Sequence, residues 1–390
     1  TDHNHNTDYE PTVEKLGAGA LVKTVTGNEV SVPIGHLNAF PLEPDRPVPD
    51  PQARDANALF KFIREEPNRY GVTPVIQLNH PRWAGIDYFT QTALDPVTGT
   101  SSSRIYSADF DTIEIFNSNP GWGYFDADLP NDFSIGGGIH SVLQDWFNLL
   151  NRGHRYVAVG NSDSHCVHHN FAGYPRNFVQ VPQDLPTRVH PRLVAEALRE
   201  GRCYTTLGPI VDFRVNGQPM GSTVEAPTGR VLVEVKVQTP TWILVDRVKI
   251  VVNGDVVETI EVEPSVRADG RFLWPPIRKV VTLRHDAWIV ALVEGDEALD
   301  PIVNGADRPI LPMAVTNPIR VDIDGDEQWT CTLDWARGEA QNLASLARLT
   351  ASDAAMLILA SAEAATPQAT KLVLAGLSTS DRRVRLAALR

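Results

Sequence analysis

Two candidate metal ligands directly follow an apolar strand in the sequence YVAVGNSDSH, residues 156–165. The run from Tyr156 to Val159 is bounded by Gly160 and contains no charged side chain, a pattern typical of a buried strand. Asp163 and His165 follow at its C-terminal end, where an alternating β/α barrel carries its functional groups. Side chains two residues apart on an extended strand point the same way, so one metal ion could take both ligands.

Other apolar segments contain the same kinds of polar residue. His80 follows the run VIQL, and Glu114 lies within TIEIFNS. Nearer the start, TDHNHN contains His3, and NEVSVPIGHLNAF contains Glu29 and His36. Imidazole and carboxylate donors suit Zn, Mn or Fe. We therefore predict a metal site that the fold assembles from distant segments, against the alternative of ordinary buried, hydrogen-bonded polar groups.

The pattern of apolar residues divides the chain into three parts. Strand-like and helix-like segments alternate over residues 1–210, as in an α/β barrel or a doubly wound sheet. One of these helices is predicted in PDPQARDANALFKFIREEPN, with Leu59, Phe60 and Ile63 on one apolar stripe. Residues 211–330 contain short alternating strands and two Asn-Gly turn signals, which predict an antiparallel β-sandwich. Residues 339–390 are rich in Ala and Leu at helical spacing and predict a short α-helical, HEAT-like tail. We expect three domains with these boundaries.

Charge and cysteine usage exclude several classes of protein. The 390 residues carry a net charge of −13, which argues against a nucleic-acid partner. No apolar run reaches the length of a membrane span. Three cysteines without a CxxC pair do not indicate a disulfide framework.

His285 is the single histidine of the sandwich region, and an alternating strand would place it on the surface.

Some polar residues have two interpretations on sequence alone. Glu114 could orient a metal ligand or pair with an arginine in the core. Asp2 and His5 could bind metal or be solvated loop residues. The acidic run VDIDGDE resembles half a calcium loop, but counting from Asp322 places Leu333 where a bidentate Glu is required, so a solvated turn is simpler. Three further residues lie near the presumed site. We expect His168 and His169 to be exposed and Cys166 to be a buried thiol.

The order of these motifs resembles the PHP (polymerase and histidinol phosphatase) superfamily of metal-dependent hydrolases. The motifs TDHN, a Glu before a GH dipeptide, NHP, IEIFN and GNSDSH occur in the family's order. The strings GYPRNFV, EALREGRCYTTLGP and TNPIRVDIDG are similar to its carbaryl-hydrolase-like branch, the CehA/McbA family. The resemblance covers roughly residues 1–330. It implies a distorted (β/α)7 barrel that holds two or three Zn, Mn or Fe ions.

The resemblance assigns the metal ligands residue by residue. The matching positions are His3, Glu29, His36, His80, Asp163 and His165. The family's first motif, a His-x-His on the first barrel strand, is absent from this sequence. We expect that strand upstream of Thr1, because its loss would leave a barrel with an unpaired edge.

The resemblance implies hydrolysis of a small-molecule substrate by a metal-activated water. An ester or carbamate is the first expectation, and a phosphoester is the alternative. The candidate catalytic residues are His80, Asp163 and Arg176. Arg82 and Arg176 are the candidates for binding a substrate oxygen. Trp83 and the loop at 122–125 could wall the pocket or simply pack. A non-catalytic, metal-stabilised binding scaffold is the hypothesis of another class, and either export or a cytoplasmic location stays open.

Overall fold

The computed structural model describes residues 1–65, 67–82, 85–117, 142–165, 172–266, 271–301, 310–340, 342, 346–364 and 366–390. The first six strands are β1 (Asp2–His3), β2 (Asn28–Val32), β3 (Gly35–Phe40), β4 (Val75–Leu78), β5 (Thr112–Asn117) and β6 (Val157–Asn161). They form one sheet, here called the first sheet, in the order β1-β2-β3-β4-β5-β6. Within the described ranges, β1 and β6 are its two edges.

The first sheet is mixed in strand direction. The pair β1–β2 is parallel. The pairs β2–β3 and β3–β4 are antiparallel. The pairs β4–β5 and β5–β6 are parallel. The β/α alternation predicted from sequence holds from β4 to β6. It fails before β4, because β2 and β3 are joined by the two residues 33–34, too short a link for a parallel crossover. The chain is therefore a mixed α/β protein.

Helices flank the first sheet and form the end of the chain. They are α1 (Glu10–Lys15), α2 (Ala56–Arg64), α3 (Tyr88–Gln91), α4 (Val142–Asn151), α5 (Pro191–Arg199), α6 (Thr332–Glu339), α7 (Ala351–Ala364), α8 (Pro367–Leu377) and α9 (Arg382–Ala388). Asp55 caps α2 by accepting the backbone N–H of Asn57, and Leu59, Phe60 and Ile63 form its buried stripe, as predicted. In the described parts of the chain, every helix is too short or too polar to cross a bilayer.

The remaining strands are β7 (Arg176–Val179), β8 (Cys203–Thr206), β9 (Ile210–Val215), β10 (Gln218–Pro219), β11 (Thr223–Glu225), β12 (Arg230–Pro240), β13 (Arg247–Val252), β14 (Asp255–Glu261), β15 (Ser265–Val266), β16 (Arg271–Leu273), β17 (Ile277–Thr282), β18 (Ala287–Glu294), β19 (Met313–Thr316) and β20 (Ile319–Asp322). The second sheet has the order β11-β20-β18-β19-β8-β7, with β13 and β14 attached through β18. The third sheet has the order β10-β9-β12-β16-β15, with β17 on β12.

The second and third sheets share one apolar core, as expected of a β-sandwich. Phe213 and Val233 of the third sheet pack in it with Ile250 and Val293 of the second. Both predicted Asn-Gly turns join adjacent hairpin strands, and both asparagines have positive φ. A two-residue hairpin of this kind needs the left-handed conformation that Asn and Gly tolerate.

The boundary expected at residue 210 falls inside continuous structure. Strands β7 and β8, which precede it, belong to the second sheet. The same region fastens the first sheet to the second: Asn177 exchanges two hydrogen bonds with the backbone of Gly160, at 2.9 Å each. Asn317 does the same with Ala158, at 2.8 and 3.0 Å. Two carboxamides thus replace the missing neighbour strand along the outer edge of β6.

The helical tail starts earlier than expected and is joined to the sandwich. It begins with α6 at Thr332. His285 is buried beneath it, with Nε2 3.1 Å from Asp353 Oδ1 and the imidazole stacked on Trp335. The expectation that His285 lies on the surface is therefore wrong, because it ignored the helices that cover this turn. A second link is the ion pair between Arg383 of α9 and Asp255, at 2.7 Å.

Candidate metal centre

Strand pairing brings three of the predicted ligands together at one edge of the first sheet. His3 of β1 lies beside Glu29 of β2 in the register, and His36 of β3 lies opposite Ser31. Glu29 and Ser31 point the same way because strand side chains alternate. The consequence is a compact group: ligand atoms of His3, Glu29 and His36 all lie within 4.8 Å of one another and could hold a metal ion.

Glu29 is central to this group. Its Oε1 is 3.3 Å from Nδ1 of His36 and 4.0 Å from Nδ1 of His3. Nδ1 of His3 is also 2.5 Å from the hydroxyl of Ser31, which fixes the direction of the ring. A carboxylate oxygen between two imidazoles is a donor arrangement that suits Zn, Mn or Fe.

A cavity of about 440 Å³ brings the other predicted ligands to the same place. His80, Asp163 and His165 line it together with His3 and Glu29. Ring centroids are 5.1 Å apart between His36 and His80, and 6.2 Å apart between His3 and His165. The cavity therefore joins residues from the two edges of the first sheet and from the end of β4 between them.

Two of these side chains have shifted pKa values that favour metal binding. Burial would raise the pKa of Glu29, but the hydrogen bond from His36 and the nearby histidine charges hold it below its usual range. Burial and the charge of His36 lower the pKa of His80 to about 4. Near neutral pH the carboxyl is ionised and the imidazole is neutral, which are the protonation states that bind metals.

Glu114 holds the backbone that presents His80. Its Oε2 accepts the backbone N–H of His80 at 2.5 Å and the amide of Asn117 at 3.0 Å, and its Oε1 accepts the amide of Asn161 at 2.8 Å. Of the two interpretations of Glu114, the structure favours the first, since its bonds go to the neighbourhood of a ligand and not to an arginine. Burial raises its pKa to about 8.

Asn117 and Asn161, which contact Glu114, were missed in the sequence analysis. Asn117 also donates to Oδ2 of Asp163 at 3.3 Å. The signal for them is present in the sequence, because β4, β5 and β6 are each followed by or end in asparagine, in VIQLN, TIEIFN and VAVGN. An amide at the end of adjacent parallel strands lies at the same edge as the ligands and can orient them.

Arg82 has a structural position that does not fit the expected substrate contact. Its guanidinium donates twice to the carboxylate of Asp145, at 2.8 Å each, and once to the carbonyl of Leu94. Both partners of this ion pair are almost fully buried. Breaking it would leave an uncompensated charge in the core, so Arg82 anchors α4.

Arg176 likewise lies outside the described lining of the cavity. It donates to the carbonyl of Gly173, and its guanidinium lies 4.8 Å from the ring centroid of Tyr174 and 5.6 Å from that of Phe178. These contacts leave Arg176 half-buried on β7, and its predicted catalytic and substrate-binding roles stay predictions. The remaining predicted pocket residues lie outside the described ranges; they are Trp83, the loop at 122–125, Cys166, His168 and His169.

A second group of carboxylates could also hold a metal ion. Ligand oxygens of Asp286, Asp322 and Asp324 lie within 4.8 Å of one another. The carboxylate of Asp322 accepts the backbone N–H groups of Gly325 and Glu327, so it shapes the turn. The solvated turn expected here is therefore partly wrong, because Asp286 and Asp322 are buried.

The fold and the site define a mixed α/β protein in which histidines and carboxylates converge on a polar cavity and could bind a metal ion. No protein-family model, curated protein or solved structure matches the chain. The function must therefore be argued from the chemistry of the cavity.

Proposed function

We propose that the protein is a metal-dependent hydrolase that cleaves an ester or carbamate bond of a small molecule. The observation that carries the proposal is the convergence of all six predicted ligands: five line one cavity, and His36 contacts Glu29 behind it. These residues come from five separate segments of the chain. Buried hydrogen-bonding groups alone would not require so many imidazoles to converge.

The donor set fits divalent Zn, Mn or Fe. His3, Glu29 and His36 would hold one cation, and Asp163 and His165 offer donors for another, with Nδ1 of His165 3.5 Å from Oδ1 of Asp163. The proposal includes two or three ions and a distorted (β/α)7 barrel of the PHP type, of which the first sheet would form the core. A cation held there would polarise the scissile carbonyl and make a water molecule more acidic.

His80 is the candidate for moving the proton in this reaction. Its imidazole lines the cavity, so a ring nitrogen that is not held by a metal would accept a proton from the attacking water and return it to the leaving oxygen or nitrogen. Glu114 fixes the backbone of His80, and Asn117 fixes the carboxylate of Asp163. These contacts hold the reacting groups in place without rearrangement on substrate binding.

The composition of the cavity favours an uncharged substrate over a phosphoester. Its described lining contains Asp2, Glu29, Glu114 and Asp163 but no lysine or arginine. Glu114 is largely protonated near neutral pH, so the ionised carboxylates Asp2, Glu29 and Asp163 would offset part of the charge of the bound cations. A phosphate monoester would then bring two negative charges to a site with no described arginine or lysine to receive them. An ester or carbamate adds no charge, so it is the first choice, and a phosphoester is the alternative.

The test uses the full chain stripped with chelator and reloaded with Mn or Zn. We expect two or more equivalents of metal per chain by elemental analysis and metal-dependent hydrolysis of naphthyl acetate or naphthyl methylcarbamate. Asp163→Asn should lower both metal content and rate. The matched control is Asp184→Asn, which changes an exposed carboxylate remote from the cavity. Fewer than one equivalent of metal and no turnover would refute the proposal and favour a non-catalytic scaffold.

A further inference from the structure

Arg320 is a buried cation in the second sheet. It lies on β20, where its strand neighbours are Thr223 of β11 and Trp288 of β18. Ile319 and Val321, on either side of it, point into the sandwich core, so the side chain of Arg320 points to the opposite face, towards the first sheet. Only 6% of Arg320 is exposed.

The guanidinium of Arg320 has no anionic partner among the described residues. Among hydrogen bonds, ion pairs and ring contacts of the described residues, its side chain makes one, with the indole of Trp329, whose ring centroid is 5.4 Å from Cζ. A cation–π contact offsets only part of the cost of burying a charge. Burial, and to a smaller extent the positive charge of Arg155, lower the pKa of Arg320 to about 10.

A second donor at the same place also lacks an acceptor. Nε1 of Trp329, the indole that stacks on Arg320, is buried and makes no hydrogen bond in the described structure. Buried donors of this kind are rarely left unsatisfied in folded proteins. A guanidinium and an indole N–H therefore lie together with no acceptor among the described residues, and the exposed Arg155 adds a positive charge that acts on the same guanidinium.

We propose that Arg320, Trp329 and Arg155 form a binding site for a small oxoanion, a phosphate or sulfate group, on a free ion or on a metabolite. A planar guanidinium can donate two hydrogen bonds to such a group, and the indole N–H can donate a third. Arg155 adds a positive charge at the exposed side. Because the chain as a whole carries a charge of −13, general attraction would not bring an anion here.

The oxoanion site is separate from the metal centre. Arg155 precedes β6, whereas Asp163 follows it, so the two sites lie at opposite ends of this strand. Trp329 packs against both the first-sheet core and the helical-tail core. An anion bound to it would therefore hold the first sheet, the sandwich and the tail together, and its effect should be seen as stability.

The test measures thermal unfolding of metal-free full-length protein in sulfate, inorganic phosphate or chloride at equal ionic strength. We expect sulfate and phosphate, but not chloride, to raise Tm with a saturable dependence and to change tryptophan fluorescence. Sodium acetate and glucose 6-phosphate are further arms, which distinguish a carboxylate from a phosphoryl group and a free ion from a metabolite. Wild-type protein without any saturable oxoanion effect would overturn the proposal.

Three variants connect the effect to the site. Arg155→Gln changes an exposed residue and should weaken binding about tenfold, and Trp329→Phe keeps the ring but should weaken it about threefold, as expected for one charged and one neutral donor. Arg320→Met should abolish binding. Arg230→Gln, an exposed arginine on β12, is the matched control and should leave it unchanged. Equal affinity in wild type, Arg155→Gln and Trp329→Phe would overturn the assignment even if Arg320→Met does not fold.

Discussion

Asn317 offers the sharpest test of how β6, the strand that carries Asp163, is held in place. Its amide is fully buried and makes three hydrogen bonds to the main chain, to the N–H and C=O of Ala158 and to the C=O of Cys203. Asn317→Leu keeps the volume but leaves three buried polar groups without partners. At about 1–3 kcal/mol for each orphaned group, the loss is at least about 3 kcal/mol.

This loss should be visible in a thermal melt. Because 1 kcal/mol changes Tm by about 2–4 °C in a cooperative unit of about 150–250 residues, we expect Tm to fall by at least about 6 °C. Calorimetry of the full chain measures it, with Asn342→Leu, an exposed amide, as the control. A fall below about 2 °C would mean that water or backbone relaxation replaces the amide, and the reasoning would be refuted.

Three further predictions concern the cavity and the tail. The pKa of His80 is lowered to about 4 in the folded protein, whereas a histidine of the unfolded chain has a pKa of about 6.5. As the pH decreases, this imidazole is protonated first in the unfolded chain, so the free energy of unfolding of metal-free protein should fall between about pH 6.5 and 4. His80→Gln should flatten that dependence in denaturant titrations, and an unchanged slope would contradict it. Glu114→Ala should weaken metal binding about 10–100-fold, measured with a chelator competitor, because it removes the group that orients His80. His285→Leu should destabilise the tail by about 3–5 kcal/mol, because it leaves the buried carboxylate of Asp353 without its partner, and adding Asp353→Leu should recover much of this loss. Limited proteolysis measures both variants, and a double variant as unstable as the single one would count against the His285–Asp353 pair.

The sequence predicted the type of structure well where a pattern was local. The buried stripe of α2, the Asn-Gly hairpins and the strands at 75–78, 112–117 and 157–161 are all present. Each depends on a period or a turn residue within a few positions. The candidate metal-ligand positions are equally local, since each lies within a strand or follows one by at most four residues.

The errors came from contacts between distant segments. Arg82 has the spacing of a cavity residue, but its guanidinium pairs with Asp145, 63 positions later, and this contact was not predicted. The position of His285 is decided by Trp335 and Asp353 of the tail. The register of β7 and β8 with the second sheet likewise depends on β19, more than 100 residues further on. No period within a single segment contains this information.

The backbone conformation at three positions of the first sheet supports the proposed metal site independently of any resemblance. Asn4, His80 and Asp163 have φ values of 54°, 29° and 47°, and each comes one or two residues after a strand of the first sheet. Among non-glycine residues, Asn, Asp and His adopt this region most readily, and glycine adopts it without a steric cost. The bonds of Glu114 to the His80 backbone hold one of these turns in place. The side chains of His80 and Asp163 line the same cavity, so these two turns present an imidazole and a carboxylate to the proposed metal site.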